Sequence, residues 1–190
     1  MENRSNQKEV RIYDGFRYPI DPGKVTMLTD MDFSYALAST LVQWDEKKSI
    51  IGGLAANWHL IPKNIYRFKL RSDAKWSDGS AVTCVQVKRS IERLLKLYPK
   101  DARAFTELVT KIECVDGAID FHLQGEAEAG NLPGKLIEAQ FGIVWVNNDG
   151  SLDLSRTTGP YTLASSSASE ATLKLSEQWQ AREHQIAPEK

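Results

Sequence analysis

No apolar run in the sequence approaches the roughly 20 residues that a membrane-spanning helix needs, so no such helix is expected. Nor is there a surplus of charge. The 24 lysines and arginines stand against 25 aspartates and glutamates, and a net charge this close to zero gives no general attraction to phosphate backbones or anionic lipid. Nucleic acid is therefore excluded as an expected partner. The two cysteines, Cys84 and Cys114, are too few and too far apart for a metal cluster or a dense disulfide framework. Each sits in an apolar pattern and reads as a buried thiol packed as a small hydrophobe, with a single disulfide between them as the alternative.

The three histidines, His59, His122 and His184, are widely spaced and suggest neither a zinc site nor a nucleophile–base pair. Nucleophile elbow, phosphate loop and paired-carboxylate motifs are all missing. No catalytic residue, metal site or cofactor is expected, and the chain is not expected to be an enzyme. Residues 1–8 are polar and lack the apolar stretch of a secretory signal, so any export signal is expected to be absent from this chain.

What remains is an ordinary globular composition, 42% hydrophobic and 26% charged, long enough for a buried core in one domain or two small lobes. Val10-Arg11-Ile12-Tyr13 alternates as a short strand does, ending at Asp14-Gly15. A helix is expected from Asp32 or Ser34 to about Trp44, with Tyr35, Leu37, Ala38, Leu41 and Val42 on its apolar face. Trp58 and Leu60, then Tyr66, Phe68 and Leu70, alternate on either side of Pro62-Lys63-Asn64, which predicts a β-hairpin. Trp76-Ser77-Asp78-Gly79 is a turn with Gly79 suited to positive φ. Thr83 and Gln86 then match a capping box ahead of a helix whose stripe is Val87, Ile91, Leu94 and Leu95.

Further on, a short helix is expected over 102–109. The strands around Ile112 to Val115 and Ile119 to Leu123 flank the hairpin turn Asp116-Gly117. Residues 132–139 read as helix and 141–146 as strand. Thr158-Gly159-Pro160-Tyr161 opens a strand that should pair with Thr172-Leu173-Lys174-Leu175, after which a polar tail follows. Trp58, Trp76 and Trp145 read as core residues. The charge runs Glu46-Lys47-Lys48 and Lys88-Arg89, with Arg93 and Lys96, read as solvated faces.

Four stretches together carry a family likeness. They are Ile20-Asp21-Pro22 with Thr40-Leu41-Val42-Gln43-Trp44-Asp45; Gly53-Leu54-Ala55-Ala56-Asn57-Trp58 with Tyr66-Arg67-Phe68-Lys69-Leu70-Arg71; Lys75-Trp76-Ser77-Asp78-Gly79-Ser80 with Val87-Lys88-Arg89-Ser90-Ile91-Glu92-Arg93-Leu94; and Thr158-Gly159-Pro160-Tyr161. In this order and spacing the chain resembles the N-terminal part of the family 5 extracellular solute-binding proteins, the peptide and nickel type. It departs from them at Gln86, where an acidic residue is usual, and at the atypical Cys84.

The resemblance implies an α+β fold, the N-terminal lobe of a type II periplasmic binding protein, with small mixed sheets and packed helices. It implies a solute-binding lobe over 9–182 with an inserted subdomain at about 47–147, between flexible ends at 1–8 and 183–190. Members are longer, and the second lobe normally follows where this sequence stops, so the missing C-terminal lobe of the same protein is an implied partner and a closed two-lobe clamp is not expected from this chain alone. The implied function is recognition of a small solute, most simply a peptide, for an ABC-type importer permease, in a periplasmic or an extracellular membrane-anchored lipoprotein setting. A ligand-sensing module of a regulatory protein is the alternative. By resemblance the loop before the first helix, residues 25–32, lines the cleft, which makes Thr26, Met27, Leu28, Thr29, Asp30 and Met31 the expected ligand-binding residues. Loop amides at a helix start and short polar side chains suit a ligand, and methionines add adaptable apolar contacts.

Overall fold

Alternation, turn chemistry and one amphipathic stripe generate most of the architecture. A computed structural model of the protein describes residues 9–13, 20–125 and 132–179; the expected flexible ends at 1–8 and 183–190, the Asp14-Gly15 turn and His184 lie outside them. In chain order the elements are β1 (Glu9–Tyr13), α1 (Leu28–Leu37), β2 (Val42–Trp44), β3 (Ile50–Gly52), β4 (Ala55–Ile61), β5 (Ile65–Leu70), α2 (Cys84–Leu97) and α3 (Arg103–Leu108). There follow β6 (Val109–Val115), β7 (Ala118–Leu123), α4 (Leu132–Lys135), a 3-10 turn (Ala139–Phe141), β8 (Val144–Val146), β9 (Leu152–Thr157), β10 (Tyr161–Ser166) and β11 (Glu170–Leu175). This is the expected α+β arrangement of small sheets and packed helices.

The largest sheet has the order β4-β5-β7-β6, antiparallel throughout. Asp116 and Gly117 take positive φ between β6 and β7, which is the backbone that a two-residue hairpin loop requires, and Lys63 and Asn64 take positive φ in the three-residue connection between β4 and β5. Cross-strand pairs Trp58↔Phe68, Phe68↔Ile119 and Ile112↔Phe121 share one face of this sheet. The apolar stripe of α2 packs on it, and Phe68, Trp76, Val87, Ile91, Ile119 and Phe121 are fully buried there. A second core joins α1 to the three-stranded sheet β1-β11-β10 through Phe33, Leu37, Ala171 and Leu173. Trp58 and Trp145 are half-buried and pack against the larger core, and Trp145 meets Trp76 edge-on at 5.2 Å between ring centroids.

Helix α1 differs from expectation. It starts at Leu28 and ends at Leu37, and Val42-Gln43-Trp44 is strand, not helix. The cause is tertiary. Gly53 and Ala55 donate their backbone N–H groups to Leu41 O at 3.0 and 2.9 Å, Leu54 donates to Thr40 O at 3.0 Å, and β2 pairs with β3. This backbone approach requires glycine, because a Cβ on Gly53 would lie 2.4 Å from Thr40 O. Residues 132–139 likewise form only the single turn of α4 before the 3-10 turn, and the strand expected over 141–146 is confined to β8. Strand β9, which pairs with β8, was not anticipated.

The two cysteines are joined, which corrects the reading as free buried thiols. Pairing of Cys114 with Ile119 puts Cys114 on the face of β6 toward α2, where Cys84 is the first residue, and their Cα atoms are 5.7 Å apart. The capping box is present as expected: Gln86 Oε1 accepts from Thr83 N at 3.0 Å, from Thr83 Oγ1 at 3.0 Å and from Trp76 Nε1 at 3.1 Å. An amide oxygen thus does here the accepting work for which a carboxylate would also serve.

Gly79 has φ +86° in the turn after Trp76 and donates its N–H to Trp76 O at 2.9 Å. Asp78 Oδ1 accepts from Ser80 N and Oγ at 2.9 and 2.6 Å, so Asp78 has the expected local turn chemistry. Gly79→Val is expected to destabilise the fold by roughly 1–3 kcal/mol, because a β-branched residue is strained at this φ. Urea unfolding of the variant against the parent checks this; equal midpoints would contradict it.

Candidate functional site

The segment from Ile20 to Leu37 is held by two carboxylates. Asp21 accepts from Arg93 Nη1 at 3.2 Å and Nη2 at 2.8 Å, from Tyr98 Oη at 2.7 Å and from Gly23 N at 3.0 Å. The Asp21 and Arg93 side chains are only 13% and 14% exposed, so Arg93 is not the solvated charge its place in a basic run suggests. Burial pushes the Asp21 carboxyl up, but the Arg93 and Tyr98 hydrogen bonds, the Arg93 charge and the Gly23 amide together hold it below its ordinary value. Tyr98 answers in the opposite direction: burial, then the bond to Asp21 and its charge, push the hydroxyl up to about 12. Asp21-Pro22 is thereby bolted to α2.

Asp30 is the second anchor. Its Oδ2 accepts from Thr26 N at 2.8 Å, Thr26 Oγ1 at 2.7 Å and Met27 N at 3.1 Å. The side chain is buried. The amides of 26 and 27, expected from sequence to be open to a ligand, are therefore satisfied within the chain, and Thr26 and Asp30 are parts of the helix start. A carboxylate in the first turn also complements the positive end of α1.

Anchoring fixes which face of α1 is outward. Asp30, Phe33, Ser34 and Leu37, at helical spacing, are buried, while Leu28 is 78% exposed, Met27 43% and Tyr35 44%. Met31 and Thr29 are half-buried. Of the six sequence-derived residues, then, Met27 and Leu28 lie out on the surface with Thr26, and Asp30 points inward. Only residues 25–27 of the expected loop precede the helix.

Sequence reasoning assigned Tyr35 to the apolar core face. It lies seven residues from Leu28 and four from Met31, a spacing that puts all three on one side of a helix, and that spacing was the available signal had the start of α1 been placed at Leu28. Partial burial and the Glu138 carboxylate push its hydroxyl up. Glu138 is itself engaged by Lys135 Nζ at 3.2 Å and Gln140 Nε2 at 3.0 Å, and Ser34 Oγ donates to Ala139 O at 2.5 Å. The stretch 135–141 is thus fixed beside α1.

The far end of α1 is tied to the Thr158-Gly159-Pro160-Tyr161 motif. Thr158 Oγ1 accepts from Ser39 N at 2.9 Å and donates to Ile143 O at 2.7 Å, and Ser39 Oγ donates to Thr158 O at 2.7 Å. Gly159 N donates to Leu37 O at 3.1 Å. A side chain on Gly159 would lie 2.6–2.7 Å from Ala36 O, Leu37 C and Ala38 N. The result is a short helix, fixed at both ends, that offers an apolar and aromatic ridge. Chemically it suits contact with a ligand or a packing partner. Among the described residues no group of three or more His, Cys, Asp or Glu is placed to hold a metal ion.

The sequence profile of the bacterial extracellular solute-binding proteins, family 5 (middle), matches residues 49–187. The periplasmic murein peptide-binding protein MppA of Escherichia coli K12 is 36% identical over 76 residues, which are 40% of this chain and 14% of that protein. The probable D,D-dipeptide-binding periplasmic protein DdpA of the same organism is 35% identical over 92 residues, 45% of this chain and 18% of that protein. Among solved structures, AgaA of A. tumefaciens R10 in complex with agropinic acid superposes with a TM-score of 0.73 at 22% identity, covering 87% of this chain and 35% of that one. OppA of Burkholderia pseudomallei gives 0.68 at 23% identity, covering 86% and 37%. At such identities the structures show a shared fold alone. The matched stretches span less than a fifth of the curated relatives and little more than a third of these solved chains.

Proposed function

As the chain belongs to the bacterial extracellular solute-binding proteins of family 5, we propose that it is part of a periplasmic, or extracellular and membrane-anchored, receptor that recognises a small solute for an ABC-type importer. The solute class favoured is a peptide, in line with the murein peptide and dipeptide named for two relatives. Recognition without chemistry is the role. The observation that carries the reading is the outward ridge of α1, Met27, Leu28 and Tyr35 with the half-buried Met31, on a helix whose two ends are pinned by partly buried polar bonds. Rigid support of adaptable apolar contacts is what tolerant recognition of varied side chains needs. Thr26 and Asp30 belong to the same site as supports of the helix start, and the half-buried Thr29 is assigned to it beside them.

Residues 47–147 are read as an insertion that carries the four-stranded sheet, while the flanking segments supply β1, β10 and β11 beside α1. The second wall of the cleft is assigned to a C-terminal lobe of the same protein. A ligand-sensing module of a regulatory protein is the rival reading. The Cys84–Cys114 disulfide weighs against a cytosolic version of it, since cytosolic thiols are ordinarily kept reduced.

Two measurements test the proposal. Calorimetry on the 190-residue chain should show weak or no peptide binding; micromolar affinity would overturn the need for a second lobe. In the two-lobed protein, Leu28→Ser should change stability by less than about 0.5 kcal/mol, as exposed positions do, while weakening the peptide found by a thermal-shift screen roughly tenfold or more, which is about 1.4 kcal/mol. Unchanged affinity would remove the ridge from the site.

A further inference from the structure

An open groove of about 610 Å³ runs between α2 and β6, with Val85, Lys88, Leu95, Lys111, Ile112 and Cys114 among its lining residues. Strand β6 is at the edge of its sheet. The two ends of the disulfide are unequal: Cys114 is half-buried and forms part of the groove wall, whereas Cys84 is buried in the first turn of α2. Charges at the groove mouth are mutually paired, Lys88 with Glu92 and Lys111 with Glu113. The approach to Cys114 is therefore guarded by no net charge of either sign.

We propose that the Cys84–Cys114 disulfide is a reducible clasp on α2, opened and closed by thiol–disulfide exchange at the Cys114 sulfur through this groove. In opening, a thiolate of an incoming dithiol bonds to Cys114 Sγ, the Cys84–Cys114 bond breaks, and its electron pair leaves on Cys84 Sγ, which takes up a proton. The second thiol of the partner, as its thiolate, then displaces Cys114 and closes the partner's own disulfide. The protein gains two electrons and two protons, and the dithiol is oxidised to a disulfide. Closing is the reverse, with a disulfide-bearing partner as oxidant.

Two features set the direction of attack. Exchange proceeds at the sulfur that can be reached, and the groove reaches Cys114. The departing charge then appears on Cys84 at the start of α2, where the positive end of a helix favours an anion. The clasp adjoins the capping box of Thr83 and Gln86 and the Trp76 bond to it, so opening loosens the point at which α2 is seated on the sheet.

The test uses the chain as it stands. Thiol titration of the never-reduced, denatured protein should find no free thiol; two would overturn the proposal. Brief exposure to glutathione followed by alkylation and peptide mapping should place the mixed disulfide on Cys114 in roughly tenfold excess over Cys84, and equal labelling or a preference for Cys84 would contradict the groove route. Full reduction with dithiothreitol should lower the urea midpoint by roughly 1–2 M, as loss of a crosslink closing a loop of this size implies. An unmoved midpoint would show that nothing is clasped. None of these readouts depends on a solute, so their failure leaves the α1 ridge and its test untouched, although two free thiols would also remove the argument from the disulfide against a cytosolic sensor.

Discussion

Asp21→Ala is expected to cost the fold about 3–5 kcal/mol, because it leaves the Arg93 guanidinium enclosed without its counter-charge. The magnitude follows from geometry. Arg93 reaches Asp21 with two nitrogens, at 3.2 and 2.8 Å, and its side chain is 14% exposed, so water replaces the lost carboxylate only in part. Tyr98 Oη and Gly23 N lose their acceptor at the same time. Urea unfolding at neutral pH measures the loss, and the Asp21→Ala/Arg93→Ala double variant should be destabilised by less than the sum of the two single variants, as coupled partners are.

The sign of the pH dependence is fixed by the same contacts. Asp21 is held below its ordinary 3.8, so the pair contributes in full above that value, and its contribution is lost as pH falls below it through the depressed folded value. Asp21→Asn should therefore flatten the acid limb of the stability curve. Tyr98 works at the other end: raised from 10.0 to about 12, it contributes fully below pH 10.0, and that contribution disappears as pH rises toward about 12. Additive single-variant losses and an unchanged acid limb would together show that the two side chains do not act as a pair.

Gly159→Ala should be the other severe change, with a loss of at least about 3 kcal/mol. Adding one methyl group is usually mild, and overpacking costs typically 1–3 kcal/mol where side chains can move aside. Here the obstructing atoms are main chain: Ala36 O at 2.6 Å, Leu37 C at 2.6 Å and Ala38 N at 2.7 Å. To make room, α1 must separate from the Thr158 motif, stretching the bonds from Ser39 to Thr158 and from Gly159 to Leu37. Gly134, with nothing within 4 Å of the same added atom, is the control, and Gly134→Ala should fall within about 0.5 kcal/mol of the parent. Similar melting temperatures for the two variants would refute the argument from close approach.

How legible was this molecule in its sequence? Local chemistry was. The Asp116-Gly117 and Pro62-Lys63-Asn64 turns, the Thr83–Gln86 box, the positive φ of Gly79 and the pairing of β10 with β11 each depend on residues near in sequence, and each is found. Elements decided by distant backbone were misread. Val42-Gln43-Trp44 has an apolar pattern that serves helix or strand equally, and Leu54 and its neighbours choose strand. Arg93 looks like one more exposed cation of α2 until the chain folds Asp21 against it from 72 positions away.

How the residues of the proposed site are engaged was not legible. The motif placed attention on residues 26–31, yet the capture of two amides by Asp30 is a matter of side-chain geometry that spacing alone does not reveal. Moving the helix start from Asp32 or Ser34 back to Leu28 turned Tyr35 from core to surface, so the ridge became visible only once the boundary was known.

The pairing of β1 with β11 sets a timetable. Glu9 lies opposite Lys174 and Tyr13 opposite Glu170, so β1 waits for a strand that is synthesised much later. Until residue 170 and those after it are available, β1 has no ladder to join, and the core beneath α1 lacks Ala171 and Leu173. The sheet β4-β5-β7-β6 has no such dependence, since all of its strands lie between Ala55 and Leu123. Contacts of long sequence separation close late and slowly, so a growing chain completes the four-stranded sheet before it joins β1 to β11.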